Sequence, residues 1–272
     1  MLAPANTASP PPKQPVERLP PVSPEDLLRD CAGQTPPAWL RQLDLSQQRT
    51  DIGCLRWRTR CVKRLLDIVV ASVLLLLTAP LLLLAALAIK LSSPGPVLFT
   101  QTRVGLNTRR QRAADKAQVS LCRRRVANYG RPFTIYKLRT MHVAAAAVPH
   151  QAQQLDPRVI PIGRLLRRMR IDELPQLVNV LRGEMSMVGP RPECIEYMEE
   201  LSRKVPNYLQ RLGLKPGLTG IAQIESGYAN DLASYRSKVG FDLIYLQNCC
   251  LGNDLRIMLR TFRVILTGFG AL

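Results

Sequence analysis

From Ile68 to Ile89 the chain runs 22 residues without a charge, bounded by Asp67 and Lys90. Leucines crowd the stretches Leu74–Leu77 and Leu81–Leu84. A helix of that length spans about 33 Å at 1.5 Å per residue, enough for a hydrocarbon core of about 30 Å. The pattern predicts a membrane helix rather than a buried soluble one. Pro80 interrupts it, removing one backbone hydrogen bond and predicting a kink. Carbonyls freed near the kink need a new partner, and Thr78 is the candidate. Basic residues flank both ends: Arg56, Arg58, Arg60, Lys63 and Arg64 before, Lys90, Arg103, Arg109 and Arg110 after. Positive flanks favour the cytoplasmic side. One crossing separates them, whereas a helix bent at Pro80 and returning to the same face keeps them together. Re-entry is therefore the favoured reading, with a simple span as the alternative.

Other periodic stretches are shorter. Leu165, Leu166 and Met169 form a helical stripe among Arg164, Arg167, Arg168 and Arg170. Leu174, Leu177, Val178 and Leu181 form another, so a helix is expected to begin near Asp172, with Pro175 in its first turn. Gly183 suits its exit. Phe133–Arg139 alternates polar and apolar residues, as a strand does, and would put Lys137 and Arg139 on one face. At the end of the chain Leu255, Met258, Leu259, Phe262, Ile265 and Leu266 form a stripe, with Arg256, Arg260 and Arg263 on another face. Such a helix suits either the lipid headgroup plane or the domain core.

Composition changes this picture at the start of the chain. Ten of the 22 prolines lie within residues 1–40. Residues 1–60 are expected to be a Pro-rich, largely disordered tail, apart from a short helix near Ser23. No apolar core follows Met1, so no signal peptide is expected there. Residues 61–272 form the expected domain. Two histidines disfavour a multi-His metal site, and seven cysteines without a Cys-x-x-Cys disfavour a disulfide scaffold or zinc ribbon. The cysteines read as reduced ones in a cytosol-facing protein.

Charge is concentrated. The chain has 38 basic and 20 acidic residues, net +18. Residues 102–170 hold sixteen basic and two acidic groups, net +14. That field attracts phosphate on nucleic acid, lipid or a nucleotide. Nucleic acid is not the expected partner, because only Tyr129, Phe133 and Tyr136 there are aromatic, too few for a stacking platform. Walker-type, Gly-x-Gly-x-x-Gly and His-Glu-x-x-His signatures do not occur.

The candidate chemistry lies between residues 156 and 192. Asp172 and Glu173 are adjacent at an expected helix start beside several arginines. Such acids often merely cap a helix. Chemically they can do more: one carboxylate can attack phosphorus, and its neighbour can hold a divalent cation. Arg167 lies about one helical turn away and suits phosphate oxygens. Gly189-Pro190-Arg191-Pro192 pins one arginine between two prolines, either as a rigid loop or as an anion clamp.

These blocks resemble the bacterial sugar transferases, monotopic phosphoglycosyl transferases acting on polyprenyl phosphate. The resemblance runs from about Lys63 to Ala271. It rests on Lys63–Asp67, Ser93–Phe99, Arg103-Val104-Gly105, Lys137–Met141, Arg167–Gln176, Gly189–Pro192, Lys215–Gly220 and Asp254–Leu266. It implies transfer of a sugar-1-phosphate from a UDP-sugar to polyprenyl (undecaprenyl) phosphate, releasing UMP, as the first membrane step of exopolysaccharide or surface-glycan assembly. By that pattern Asp172 is the nucleophile and Glu173, with Asp172, supports Mg²⁺. Arg167, Arg191, Lys137 and Arg139 face phosphate or nucleotide.

Two departures stand out. Ala79 replaces the serine usual before the kink proline. The usual short turn after Gly105 is expanded into a basic insertion, residues 108–131, suited to anionic lipid at about 1 kcal/mol per cation near the surface.

The expected fold is thus a mostly helical α+β domain associated with the membrane. It has a re-entrant helix over 68–89 kinked at Pro80, surface amphipathic helices and a short sheet. The resemblance is to the small form of the family, on the cytoplasmic face of the bacterial inner membrane. The rival is an inactive, membrane-tethered scaffold that binds anionic lipid through its basic segment. Neither the sugar nor the oligomeric state is coded by a local motif.

Overall fold

The charge-free run lies inside one helix, α1 (Trp57–Ser92), of 36 residues, or about 54 Å. The computed structural model of the chain describes residues 37–47, 49, 55–106, 130–142, 156–226 and 231–267. Residues 1–36 and all but the last two of the 108–131 insertion lie outside them.

α1 is helical through Pro80. Thr78 does not take the expected role. Its hydroxyl donates to the Leu74 carbonyl at 2.7 Å, whereas Pro80 frees the carbonyl of Leu76, four residues before it. Back-bonding of this kind bends helices slightly.

The buried positions of α1 come in two sets on either side of the proline, Lys63, Asp67 and Ala71, then Ala85 and Ile89. Ala71 joins the main core. Ala85 and Ile89 pack in a second cluster with Leu138, Ile160, Leu166 and Ile171. Between them the leucines face outward, Leu76 at 77% and Leu83 at 73% exposure. Both halves of the helix thus dock on one domain, while the middle carries bare apolar surface.

Two small sheets follow. β1 (Leu98–Val104) pairs antiparallel with β2 (Pro132–Leu138), Leu98 opposite Leu138 and Val104 opposite Pro132. After β2 the chain forms α2 (Pro161–Arg168), with proline in its first turn.

The single helix expected from Asp172 is split. Arg170 takes a left-handed conformation (φ 58°), which ends α2 and turns the chain. Ile171–Gln176 then winds as a 3₁₀ helix. Pro175 has no N–H to donate, and the α-helical part, α3 (Leu177–Arg182), starts only after it. Neither start carries a side-chain cap, so capping does not account for Asp172 and Glu173. Gly183 closes α3 with φ 80°, as expected.

β3 (Ser186–Val188) pairs parallel with β4 (Gly217–Thr219). Between them lie α4 (Ile195–Lys204) and a 3₁₀ helix, Tyr208–Gly213. α5 (Ile221–Glu225), α6 (Leu232–Gln247) and α7 (Leu251–Thr267) complete the domain.

The β3–β4 contact requires glycine. A Cβ on Gly217 would lie 2.0 Å from the Gly189 nitrogen and 2.5 Å from the Thr219 carbonyl. Backbone cannot yield there as a side-chain tip can. Gly217→Ala is expected to cost about 3 kcal/mol, the upper range for overpacking, read as a lowered thermal unfolding midpoint in detergent.

The tail ends earlier than residue 60. Leu40, Leu43 and Leu55 are buried in the main core. Asp44 exchanges backbone hydrogen bonds with the Asn253 side chain, at 2.9 and 2.8 Å. The Trp39 indole donates to Glu225. Leu40, Leu43 and Leu55 thus join this segment to the core, and Asp44 ties it to α7.

α7 packs on the domain through one face, which includes Met258 of the sequence stripe. Its inner face is Asn253, Asp254 and Ile257, all buried. Leu255, Leu259, Phe262 and Ile265, also of that stripe, are exposed instead.

Candidate active site

The 3₁₀ turn places Asp172 and Glu173 side by side against β2, at 7% and 8% exposure. Three elements converge on Glu173. Lys137, near the end of β2, donates to Oε1 at 2.7 Å. Arg191, from the loop after β3, donates to the same oxygen at 2.7 Å. Its other terminal nitrogen reaches Gln223 Oε1 on α5 at 3.2 Å. Two cations on one carboxylate oxygen make a charge-assisted clamp.

Electrostatics separates the two acids. Burial and the neighbouring Glu173 push Asp172 up to about 6. Burial acts the same way on Glu173, but Arg191 and Lys137 outweigh it and hold that acid well below the usual carboxylate range. Burial, aided by Arg191, lowers Lys137 against the pull of Glu173. Glu173 is thus a fixed anion. No hydrogen bond holds the Asp172 carboxylate among the described residues.

The remaining candidates divide. Arg167 approaches through Thr140, its Nε donating to Oγ1 at 2.8 Å. One of its terminal nitrogens is buried without a partner. Arg139 is placed otherwise. Its guanidinium donates to the Ser93 carbonyl at 2.7 Å and to that of Pro94. It therefore ties the exit of α1 to the end of β2, and its two terminal nitrogens are spent on backbone. β2 itself ends at Leu138, so Arg139 lies just past the strand, though its N–H still bonds the Val97 carbonyl at 2.8 Å.

Several supporting residues carried no motif. Arg211 donates to the Arg191 carbonyl at 2.9 Å and pairs with Asp242 at 2.8 Å, both side chains buried. Asp242 is a lone acid in the apolar stretch Val239–Leu246, a signal the sequence did offer. Asn179, fully buried, donates to the Thr134 carbonyl at 2.7 Å and so joins α3 to β2. Asp67 of α1 accepts from Ser186 Oγ at 3.0 Å and the Met187 N–H at 2.9 Å. α1 is thus bolted to the strand that leads to Arg191.

Known proteins are similar to this chain in sequence. A family described as Bacterial sugar transferase matches residues 58–114 and 111–268. The UDP-glucose:undecaprenyl-phosphate glucose-1-phosphate transferase of Caulobacter vibrioides is 46% identical over 208 residues, 75% of this chain and 70% of that protein. The UDP-N-acetylgalactosamine-undecaprenyl-phosphate N-acetylgalactosaminephosphotransferase of Aeromonas hydrophila is 41% identical over 211 residues. That match covers 77% of this chain but only 45% of the relative. The exopolysaccharide production protein PSS of Rhizobium leguminosarum bv. phaseoli is 40% identical over 210 residues, 74% of this chain and 92% of that protein. The matched span carries α1, the Asp172-Glu173 turn and the Arg191 loop together, and on that ground the chain belongs to the bacterial sugar transferase family of phosphoglycosyl transferases.

Proposed function

We propose that the chain transfers a sugar-1-phosphate from a UDP-sugar to undecaprenyl phosphate in two displacements through Asp172. One observation carries the reading: a buried carboxylate without a hydrogen bond among the described residues, beside a second carboxylate clamped by two cations. A nucleophile must be free to move toward phosphorus.

In the first displacement an Asp172 oxygen attacks the phosphorus that bears the sugar. The bond to the bridging oxygen breaks and UMP leaves. An acyl phosphate carrying the sugar remains on Asp172. In the second, an oxygen of the lipid phosphate attacks that phosphorus. The bond to Asp172 breaks, its carboxylate is restored, and the polyprenyl diphosphate sugar departs. One phosphoanhydride is exchanged for another of similar energy. Arg191 and Arg167 neutralise charge on the transferred group.

Mg²⁺ fits the donor set. Such ions are held by one or two carboxylates plus substrate phosphates, and Asp172 and Glu173 are the adjacent carboxylates here. Bound there, the ion would offset diphosphate charge.

We read α1 as re-entrant at the cytoplasmic face of the inner membrane. Ala71 and Ile89 are 18 residues apart, about 27 Å of helix, yet both pack on the same domain. A straight crossing would draw that domain into lipid. The exposed leucines of α1 and the Leu255–Ile265 stripe of α7 then form the lipid-facing surface.

The test is UMP release by the detergent-solubilised protein with undecaprenyl phosphate, Mg²⁺ and a panel of UDP-sugars. Turnover with one or more donors supports the reading and names the sugar. Membrane binding without turnover on any donor supports a tethered scaffold instead. The rate of UMP release is also expected to depend on pH. Asp172 acts as a carboxylate, and burial beside Glu173 raises it to about 6 in the metal-free protein, so activity falls toward acid pH as Asp172 is protonated, with Mg²⁺ moving that limb lower. A rate that does not fall at acid pH contradicts that assignment.

A further inference from the structure

Beside the clamped Glu173 lies a small pocket where four separate sequence blocks meet. Its walls are Arg103 of β1, Ile135 and Lys137 of β2, Gln176 at the end of the 3₁₀ turn, and Arg191 and Pro192. Every side-chain polar group on that wall can donate hydrogen bonds, and three of them are cations. Gln176 is 4% exposed, and its Nε2 has no hydrogen-bond partner among the described residues. The Nε of Arg103 is likewise buried and unpartnered, while its terminal nitrogens are held by Gln101 at 2.7 Å and the Pro192 carbonyl at 3.2 Å. Leaving a buried donor unmatched is costly. A site lined by donors selects a ligand made of acceptors, and phosphoryl oxygens are that chemistry.

We propose that Gln176 and Arg103 complete, with Lys137 and Arg191, a subsite for a phosphoryl group next to the Asp172-Glu173 pair. This rests on the proposed sugar-phosphate transfer and names further residues that hold its substrate. The phosphoryl group belongs either to the UDP-sugar or to the lipid acceptor. Gln176 supplies an uncharged donor at the base of the pocket. Arg103, fixed through Gln101 and Pro192, keeps the Arg191 loop closed over it. When the anion enters, Lys137 and Arg191 share their donors between it and Glu173.

The experiment uses the full chain in detergent with Mg²⁺. Binding of inorganic diphosphate is measured by calorimetry, and KM is measured separately for the UDP-sugar and for undecaprenyl phosphate. Gln176→Met keeps the length of the side chain and removes the donor. It is expected to weaken diphosphate binding about ten-fold or more, as loss of a hydrogen bond to a charged group does. A rise in KM for the UDP-sugar alone places the donor phosphate here; a rise for the lipid alone places the acceptor. Gln176→Glu, which turns the amide into an anion, is expected to weaken binding further. Should Gln176→Met fail to fold, Arg103→Gln probes the same pocket from the opposite wall. Unchanged diphosphate affinity and unchanged KM for both substrates in the folded variants overturn the proposal. Asp172→Asn, run in parallel, keeps the two readings apart. If it still turns over while Gln176→Met binds diphosphate weakly, the subsite stands and the nucleophile falls.

Discussion

Asp172→Asn is expected to lose UMP release by about 10⁴-fold or more, the scale seen when a covalent nucleophile is removed. The amide has the same shape, so the turn at Ile171–Gln176 has no steric reason to change. It also cannot carry negative charge. The wild-type pair places two acids together in a buried turn, and Glu173 is part of why Asp172 titrates near 6. Removing the Asp172 charge relieves that repulsion. The variant should therefore unfold at the same temperature as wild type or slightly above it, and still sediment with membranes. Loss of activity without loss of stability separates a chemical role from a structural one. Glu173→Gln behaves differently in this account. It leaves Lys137 and Arg191 facing a neutral amide, so the clamp loosens and activity and stability fall together.

Lys63→Met is expected to have the largest effect on stability. Lys63 Nζ lies 2.5 Å from Asp254 Oδ2 and 3.2 Å from the Tyr245 hydroxyl, and all three side chains are buried. This cluster joins the foot of α1 to α6 and α7. The Tyr245 hydroxyl also donates to Asp254. Without the lysine, Asp254 is a buried charge with no counter-ion. Breaking such a pair from one side costs about 3–5 kcal/mol. Thermal unfolding in detergent should show it, and adding Asp254→Asn should recover part of the loss, because a neutral amide needs no counter-ion. An unchanged midpoint in Lys63→Met would mean that the cluster contributes little to docking of α1.

Parts of this fold are legible in the sequence for definite reasons. Twenty-two uncharged residues at this leucine density predict one long apolar helix, and α1 contains them whole. Gly183 ends α3 because a left-handed residue is needed there. The Asp172-Glu173 and Arg191 blocks are separated in sequence, and only β2 and the β3–β4 pair bring them together. Local signals failed where tertiary contact decides. Pro175 looked compatible with one helix from Asp172, but its missing N–H divides that stretch into a 3₁₀ turn and α3. Arg139 looked like a partner of Lys137, yet its guanidinium closes the α1 exit. Residues 37–47 looked like tail because proline content dominates that region, while three well-spaced leucines anchor them. Arg211 gave no pattern at all, and Gln176 no role within its block, since the importance of each lies in what it faces.

The central claim is a covalent sugar phosphate on Asp172. The direct measurement is intact-protein and peptide mass spectrometry after mixing the enzyme with Mg²⁺ and its UDP-sugar, with no lipid acceptor present. The account predicts a mass gain of one sugar phosphate on the peptide containing Asp172. It also predicts about one UMP released per active enzyme, and loss of the adduct when undecaprenyl phosphate is added. UMP release that requires the acceptor from the outset, with no adduct on the protein, would contradict the two-step account and point to direct transfer between bound substrates.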